Sequence, residues 1–395
     1  MTTQPTPTTT TGDRITVLIP TDFYVPAFLG GGPIQTLKAL IEESPPQYDT
    51  WVVCANHDLG ESAPLVEQPN EWLPVDRANV RYVQGGLRSL LGAFRAAADV
   101  DVIYLNSLFS PRYSLLPLIL RSLGRWRGAD VLIAPRGELY PGALAQKPRK
   151  KRVFLRVFRA LGLHIRTMWH ASTEDEARQI RSLFGEQTRV LVRENETSLP
   201  RKARTRAPRS AGPLRAVFAS RLHPKKGLHI LLAALAEVTE PVQLQVVGAF
   251  ADGEYEEHCR SLARDLPAHV SVDFTGAAAR DVVLERMHDA DLMTFPTTGE
   301  NFGHVIAEAL SESCPVMCSD HTPWSAALSS GGGGVVSPNT PEAWAAAIDE
   351  FSAAGADAWE AAAVRAGESY CTWRNEPKGR HIFELVRAKE SKSSV

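Results

Sequence analysis

Cysteine is scarce in this chain: Cys54, Cys259, Cys314, Cys318 and Cys371 are five in 395 residues, odd in number and widely scattered. Neither a disulfide framework nor a paired zinc spacing fits them, which excludes a stapled secreted domain and points to a reducing, cytoplasmic setting. Cys314 and Cys318 flank Pro-Val-Met and read as small core residues, since a second ligand pair is missing. No metal is expected. Net charge is nearly absent as well, with 43 Lys and Arg against 45 Asp and Glu, so no overall field draws a nucleic acid or an acidic substrate. No apolar run approaches the ~20 residues that cross a bilayer. Residues 1–13 begin with a Thr/Pro/Gln tract that has no apolar core, and are expected to form a disordered tail, neither signal peptide nor anchor.

What is present is material for packed cores. Hydrophobic residues make up 44% and charged residues 22% of the chain, and its length suits two domains of roughly 150–200 residues each. Strands are predicted at 15–19, 50–54, 80–83, 102–105, 131–134, 168–171 and 190–192, then at 214–219, 243–247, 270–274, 291–295, 315–319 and 334–336. The first seven are near-continuous apolar runs rather than alternating ones, as in parallel strands covered on both faces, and the second half repeats the rhythm. The fold class that follows is α/β, with two Rossmann-like, doubly wound domains at 14–200 and 213–370. Residues 201–212 carry five Lys and Arg and read as a solvated linker, while 371–395 is expected to supply a terminal helix that packs back on the first domain.

The chemistry-bearing residues stand where strands end. Phe218-Ala-Ser-Arg-Leu-His-Pro-Lys-Lys-Gly-Leu228 passes from a buried strand into a helical segment, and open α/β sheets bind ligands at the carboxyl ends of their strands. Arg221 and Lys226 are suited there to clamp a pyrophosphate and to stabilise a departing diphosphate. Gly227 would let backbone approach a phosphate beside the positive end of a helix. The same residues also fit a plain exposed basic turn.

A second strand-turn-helix, Pro296-Thr-Thr-Gly-Glu-Asn-Phe-Gly-His-Val-Ile-Ala-Glu-Ala-Leu310, is more specific. Val305, Ile306, Ala309 and Leu310 give its helix one apolar face; Glu308 falls off that face and Glu300 lies on the turn. If the intervening residues were wholly helical, the two carboxylates would stand about 12 Å apart. A glycosidase pair needs roughly 5–9.5 Å, so hydrolysis is disfavoured. A division of labour fits better. A helix carboxylate accepts from a ribose diol, a turn carboxylate holds sugar hydroxyls, and Gly303 with the N–H groups at the helix start meets phosphate oxygens.

These segments resemble the retaining family 4 glycosyltransferases, which have the GT-B architecture of two Rossmann-like domains facing a cleft. Glu300-Asn-Phe-Gly-His-Val-Ile-Ala-Glu308 is similar to that family's glutamate, seven residues, glutamate motif, and Ser220-Arg-Leu-His-Pro-Lys-Lys-Gly-Leu228 to its basic turn. Cys314-Pro-Val316, Ser319, Thr322-Pro-Trp324 and 331–336 also stand where such chains carry similar segments, so the likeness covers nearly all of residues 14–375. The resemblance implies that Arg221 and Lys226 bind the donor diphosphate, that Glu300 contacts the transferred sugar and Glu308 the ribose, and that Asn301, Phe302 and Gly303 belong to the donor site. Gly248 and Gly276 resemble turns that approach the nucleotide base. The resemblance further implies transfer of a hexose-type unit, with retention, from a UDP- or GDP-sugar to a glycan or lipid-linked acceptor in cell-surface polysaccharide or glycoconjugate biosynthesis. No metal or other cofactor is implied.

In the first half, Gly30-Gly-Gly-Pro-Ile-Gln-Thr-Leu37 opens a helix after the first strand, in form a phosphate-approach loop and equally a flexible one. In the resembling family a glycine here faces the donor diphosphate, which makes Gly31 and Gly32 the candidates. Ile133-Ala-Pro-Arg-Gly-Glu-Leu-Tyr-Pro-Gly-Ala-Leu144 lies where many relatives place a histidine near the reacting sugar; this chain has Arg136 and Glu138 instead. The two fit contact with acceptor or donor, or an ion pair with each other. His170, ahead of Ser172, Thr173 and Glu174, fits either a place in the cleft or a structural place at a helix start.

Residues 147–166 hold eight Lys and Arg and no Asp or Glu, with Val153, Phe154, Val157, Phe158 and Leu161 at helical spacing. The pattern suits a basic amphipathic helix resting on anionic lipid at the inner face of the cell membrane, and equally a core helix with a charged outer face. Rival readings on the same fold are a sugar-nucleotide epimerase or a phosphorylase and, in a different class, a non-catalytic sugar-nucleotide-binding subunit. The last has no need of Arg221, Lys226, Glu300 and Glu308 together.

Overall fold

The structure, a computed structural model, describes residues 14–97, 99–207 and 212–388; the expected tail at 1–13 and residues 208–211 of the expected linker lie outside them. The chain divides into two compact units, the first formed by residues up to Ser198 with those from Lys378 on, the second by Leu199–Pro377.

The first unit is built on an eight-stranded sheet of β1 (Ile15–Pro20), β2 (Tyr48–Ala55), β3 (Trp72–Val75), β4 (Ala78–Val83), β5 (Val102–Leu105), β6 (Asp130–Ile133), β7 (Met168–Ala171) and β8 (Val190–Val192). Their order is β3-β4-β2-β1-β5-β6-β7-β8, parallel throughout except where β3 meets β4. Along β1, Val17 and Ile19 enter one core and Leu18 the other, which is why residues 17–19 read as an unbroken apolar run. Strand β3 is not announced by the sequence. It is four residues long and contains Pro74, which cannot donate to a ladder and so confines it to an edge.

The second unit has six parallel strands, β9 (Leu214–Ala219), β10 (Val242–Val247), β11 (Val270–Gly276), β12 (Leu292–Phe295), β13 (Val316–Ser319) and β14 (Gly333–Val336), in the order β11-β10-β9-β12-β13-β14. Among the parallel strands of each sheet the order reverses once, at β1/β5 and at β9/β12. The crevice outside the carboxyl ends of such a pair is where open sheets take ligands.

Where it is described, the expected linker is solvated, with Arg201, Lys202, Arg204, Thr205 and Ala207 exposed, and it is also tied to the second unit. Arg204 N donates to Ser311 O at 2.8 Å, Ser313 Oγ donates back to Arg204 O at 2.7 Å, and Ala203 packs on the core of the second unit. The helix Gly355–Asn375 runs on past residue 370, and Arg374 near its end donates from Nε to Leu199 O at 3.1 Å. The short helix Ile382–Arg387 belongs to the first unit, with Ile382 and Phe383 fully buried in one of its cores. Among the described residues no helix is long and apolar enough to cross a membrane.

Candidate functional site

In the second unit β9 gives way to a tight turn, Pro224–Lys226, that His223 caps by accepting Lys225 N–H on Nδ1 at 3.1 Å. Gly227 follows with φ +79°, a left-handed conformation that lets the helix Leu228–Leu235 start at once. A Cβ on Gly227 would sit 2.0 Å from the carbonyl oxygen of Pro296, so the glycine serves the packing of this turn against the end of β12. Thr298 N and Thr297 Oγ1 both donate to Lys225 O, at 2.8 and 3.1 Å, and lock the two turns together. The result is a direct ion pair between Lys226 and Glu300, whose side chains are 26% and 13% exposed. Lys226 Nζ also lies 5.5 Å from the centre of the Phe295 ring. Arg221 stands exposed at the start of the same turn. Two segments some 70 residues apart in sequence thus form one site at the β9/β12 reversal.

The helix His304–Ser311 carries the second carboxylate. Gly303 precedes it with φ +82°. Glu308 is not turned to solvent: its Oε1 accepts from Arg280 Nε at 2.8 Å, and its side chain is 13% exposed. Burial pushes the Glu308 carboxyl up from the usual carboxylate range, and Arg280 opposes that shift by charge and hydrogen bond. Arg280 was not foreseen. The one local signal was a cation in the first position of a helix, where the dipole favours an acid. Asn301 keeps a buried Oδ1 with no hydrogen-bond partner among the described residues. Phe302 is placed differently from a donor-lining side chain: it is 4% exposed, packs on Trp324 and Trp373, and its carbonyl accepts from Trp324 Nε1. Gly248 and Gly276, widely separated in sequence, are adjacent in the sheet, Gly248 N donating to Gly276 O at 2.8 Å.

In the first unit Gly31 has φ +69° and caps the helix Gly32–Glu42. The loop before it is fixed by Asp58, buried, whose Oδ2 accepts from Phe28 N at 2.7 Å and Leu29 N at 3.1 Å. That loop is therefore held, and Asp58 is a second residue the sequence did not single out. Arg136 and Glu138 do not pair with each other. Glu138 accepts from Ser107 Oγ and Leu108 N, both at 2.7 Å, and so fixes the turn after β5. Arg136 donates to Asn106 at 2.9 Å, to Asn195, and to Tyr104 Oη at 2.5 Å. Tyr104 Oη in turn meets His170 Nδ1 at 2.8 Å, and His170 Nε2 meets Arg193 O at 2.9 Å. One consistent chain results, with Nε2–H the donor and Nδ1 the acceptor. Burial and the nearby Arg136 push the His170 pKa well below its usual value, so it is a neutral interior histidine. It is 2% exposed, which favours the structural of its two readings. The helix start beside it is capped by Thr173, whose hydroxyl accepts from Glu176 N.

Two Asp-x-Asp pairs, 99–101 and 289–291, lie at the opposite, amino ends of β5 and β12. There Asp101 accepts from Thr16 N at 2.8 Å and Asp291 pairs with Arg215 at 3.0 Å, so both act within the sheets.

Residues 201–363 match the family Glycosyl transferases group 1. D-inositol 3-phosphate glycosyltransferase of Rhodococcus erythropolis is 28% identical over 197 residues, 46% of this chain and 45% of that protein. Phosphatidyl-myo-inositol mannosyltransferase of Mycobacterium leprae is 40% identical over 105 residues, 25% of each chain. The chain thus spans less than half the length of these curated relatives. Among solved structures, Anabaena HepE in complex with UDP-glucose aligns with a TM-score of 0.68 at 17% identity, covering 96% of this chain and 100% of that one. At that identity the likeness is one of fold.

Proposed function

We propose that this chain, whose residues 201–363 belong to the glycosyl transferases group 1 and whose two units carry the GT-B fold, is a retaining glycosyltransferase. It takes a hexose-type unit from a nucleoside diphosphate sugar. The acceptor is a glycan or a lipid-linked molecule, a reading supported by the phosphatidyl-myo-inositol in the name of one curated relative. The observation that carries the reading is the Lys226–Glu300 pair at the β9/β12 reversal. A cation and a carboxylate side by side match a donor that presents a diphosphate beside a sugar. Lys226, Arg221 and the N-terminal end of the helix His304–Ser311 stabilise the charge that grows on the departing diphosphate. Glu300 takes sugar hydroxyls, Glu308 the ribose, and a diphosphate oxygen receives the acceptor's proton on the face it leaves. In this scheme Lys226 and Arg221 meet the leaving-group charge themselves, and no metal has a part. Thermal shift against UDP-, GDP- and ADP-sugars tests it. A donor at 100 times its Kd is expected to add about 2.7 kcal/mol of stability, with sugar transfer to follow on a matching acceptor. No shift with any of the three at millimolar concentration overturns the proposal.

The acceptor reading extends to an anionic membrane surface. The helix Pro148–Ala160 has two apolar faces: Phe154 and Phe158 stack on each other, with Phe158 1% exposed, while Val153, Val157 and Leu161 stand 58%, 49% and 63% exposed at four-residue spacing. Ile165 continues the exposed set at 74%. A core helix has no use for that outer stripe. With Arg149, Lys150, Arg152, Arg156 and Arg159 exposed around it, insertion among anionic headgroups gains roughly 1 kcal/mol per basic residue near the surface, besides the apolar burial. Sedimentation with vesicles containing phosphatidylglycerol is expected to recover the protein at low salt, and Val153→Glu with Val157→Glu to release it. Equal recovery on neutral vesicles sinks the idea.

A further inference from the structure

We infer that Arg280 is a positioning residue for the donor: it holds Oε1 of Glu308 and so presents Oε2 to the ribose diol of the bound nucleotide. The inference rests on the nucleotide-sugar reading and assigns a partner within it. Arg280 opens the helix Arg280–Asp289, four residues after Gly276, the turn that lies beside Gly248. The same short connection therefore sets both the pair of glycine turns and the guanidinium. Its Nε is 2.8 Å from Glu308 Oε1, and among the described residues it is the one cation paired with that carboxylate. Glu308 projects from the helix that Gly303 starts, two turns beyond Glu300 in sequence, with only 13% of its side chain exposed.

A carboxylate so covered has two ways to persist: it binds a proton, or it is held ionised by a cation. A protonated acid would offer a ribose diol one acceptor and one competing donor. An ionised one whose first oxygen is engaged offers the second as a fixed acceptor, able to take both the 2′ and the 3′ hydroxyl. Arg280 also stands where a helix dipole disfavours a cation, at a cost of about 0.3–1 kcal/mol. Its pairing with Glu308 offsets that cost.

The test compares UDP, GDP and ADP, each with its 2′,3′-dideoxy form, by calorimetric binding to wild type, Arg280→Met, Arg280→Lys and Glu308→Gln. Hydrogen bonds to a charged acceptor predict that wild type prefers the ribose form by about 10-fold or more. Arg280→Met is expected to bring that preference within about threefold by weakening the ribose form alone, and Arg280→Lys, which keeps the charge, to restore part of it. A merely structural role for Arg280 would weaken both forms equally, and that result overturns the inference, as does an unchanged preference in Arg280→Met. If Glu308→Gln keeps the wild-type preference, or no diphosphate binds at all, the fault lies in the underlying donor reading.

Discussion

Lys226→Ala is expected to lower kcat/KM for transfer by about 10²–10³-fold, the loss seen when one preorganised charge donor is removed from a transition state. The protein should still fold, with its melting temperature lowered in step with the roughly 1–3 kcal/mol that an unpaired, largely covered polar group costs. The loss has two sources. The ammonium no longer meets the leaving diphosphate, and Glu300, 13% exposed and stripped of its partner, now faces that diphosphate with like charge. The two are separable. In the double variant Lys226→Ala, Glu300→Gln the repulsion is gone, so donor affinity measured by thermal shift should recover towards wild type while turnover stays low. Such non-additivity is what neighbouring charges show in a double-mutant cycle. Steady-state rates of Lys226→Ala within twofold of wild type would refute the assignment of Lys226.

How much of this was legible in the sequence follows the range of the interactions. The parallel strands announced themselves through unbroken apolar runs such as 102–105 and 131–133, because burial on both faces is a local constraint on composition. The edge strand Trp72–Val75 was not announced, since an edge tolerates Pro74 and asks for little apolar continuity. In the site, the residue types and the order of the two turns were readable. Their meeting was not. That Lys226 pairs with Glu300, and Glu308 with Arg280, depends on strand order, which places the ends of β9 and β12 side by side. Arg136 and Glu138 illustrate the reverse limit: two opposite charges two residues apart suggest a pair. Both are instead drawn to partners on other elements, Glu138 to backbone and hydroxyl donors at Ser107 and Leu108, and Arg136 to Asn106, Asn195 and Tyr104.

Gly227→Ala is the second large effect, and it acts on the fold first. The residue sits at φ +79°, where an L side chain costs roughly 1–2 kcal/mol. Its new methyl would lie 2.0 Å from Pro296 O and 2.7 Å from Pro296 C, contacts that no rotamer change relieves because the obstruction is backbone. The turn must therefore lift off the end of β12, at a further cost on the order of 1–3 kcal/mol for overpacking. For a unit the size of Leu199–Pro377, a total of about 3 kcal/mol corresponds to a fall of roughly 6–12 °C in melting temperature. Lifting the turn also breaks the bonds from Thr297 and Thr298 to Lys225 O and carries Lys226 away from Glu300. Activity at temperatures where the variant is still folded should consequently fall with it. That separates Gly227 from Gly31, which is also left-handed at φ +69° but has nothing within 4 Å of where its Cβ would be, so Gly31→Ala meets the conformational cost alone. Calorimetric melts of the two variants decide the matter. A Gly227→Ala protein as stable as Gly31→Ala would mean that the contact with Pro296 does not hold the basic turn in place.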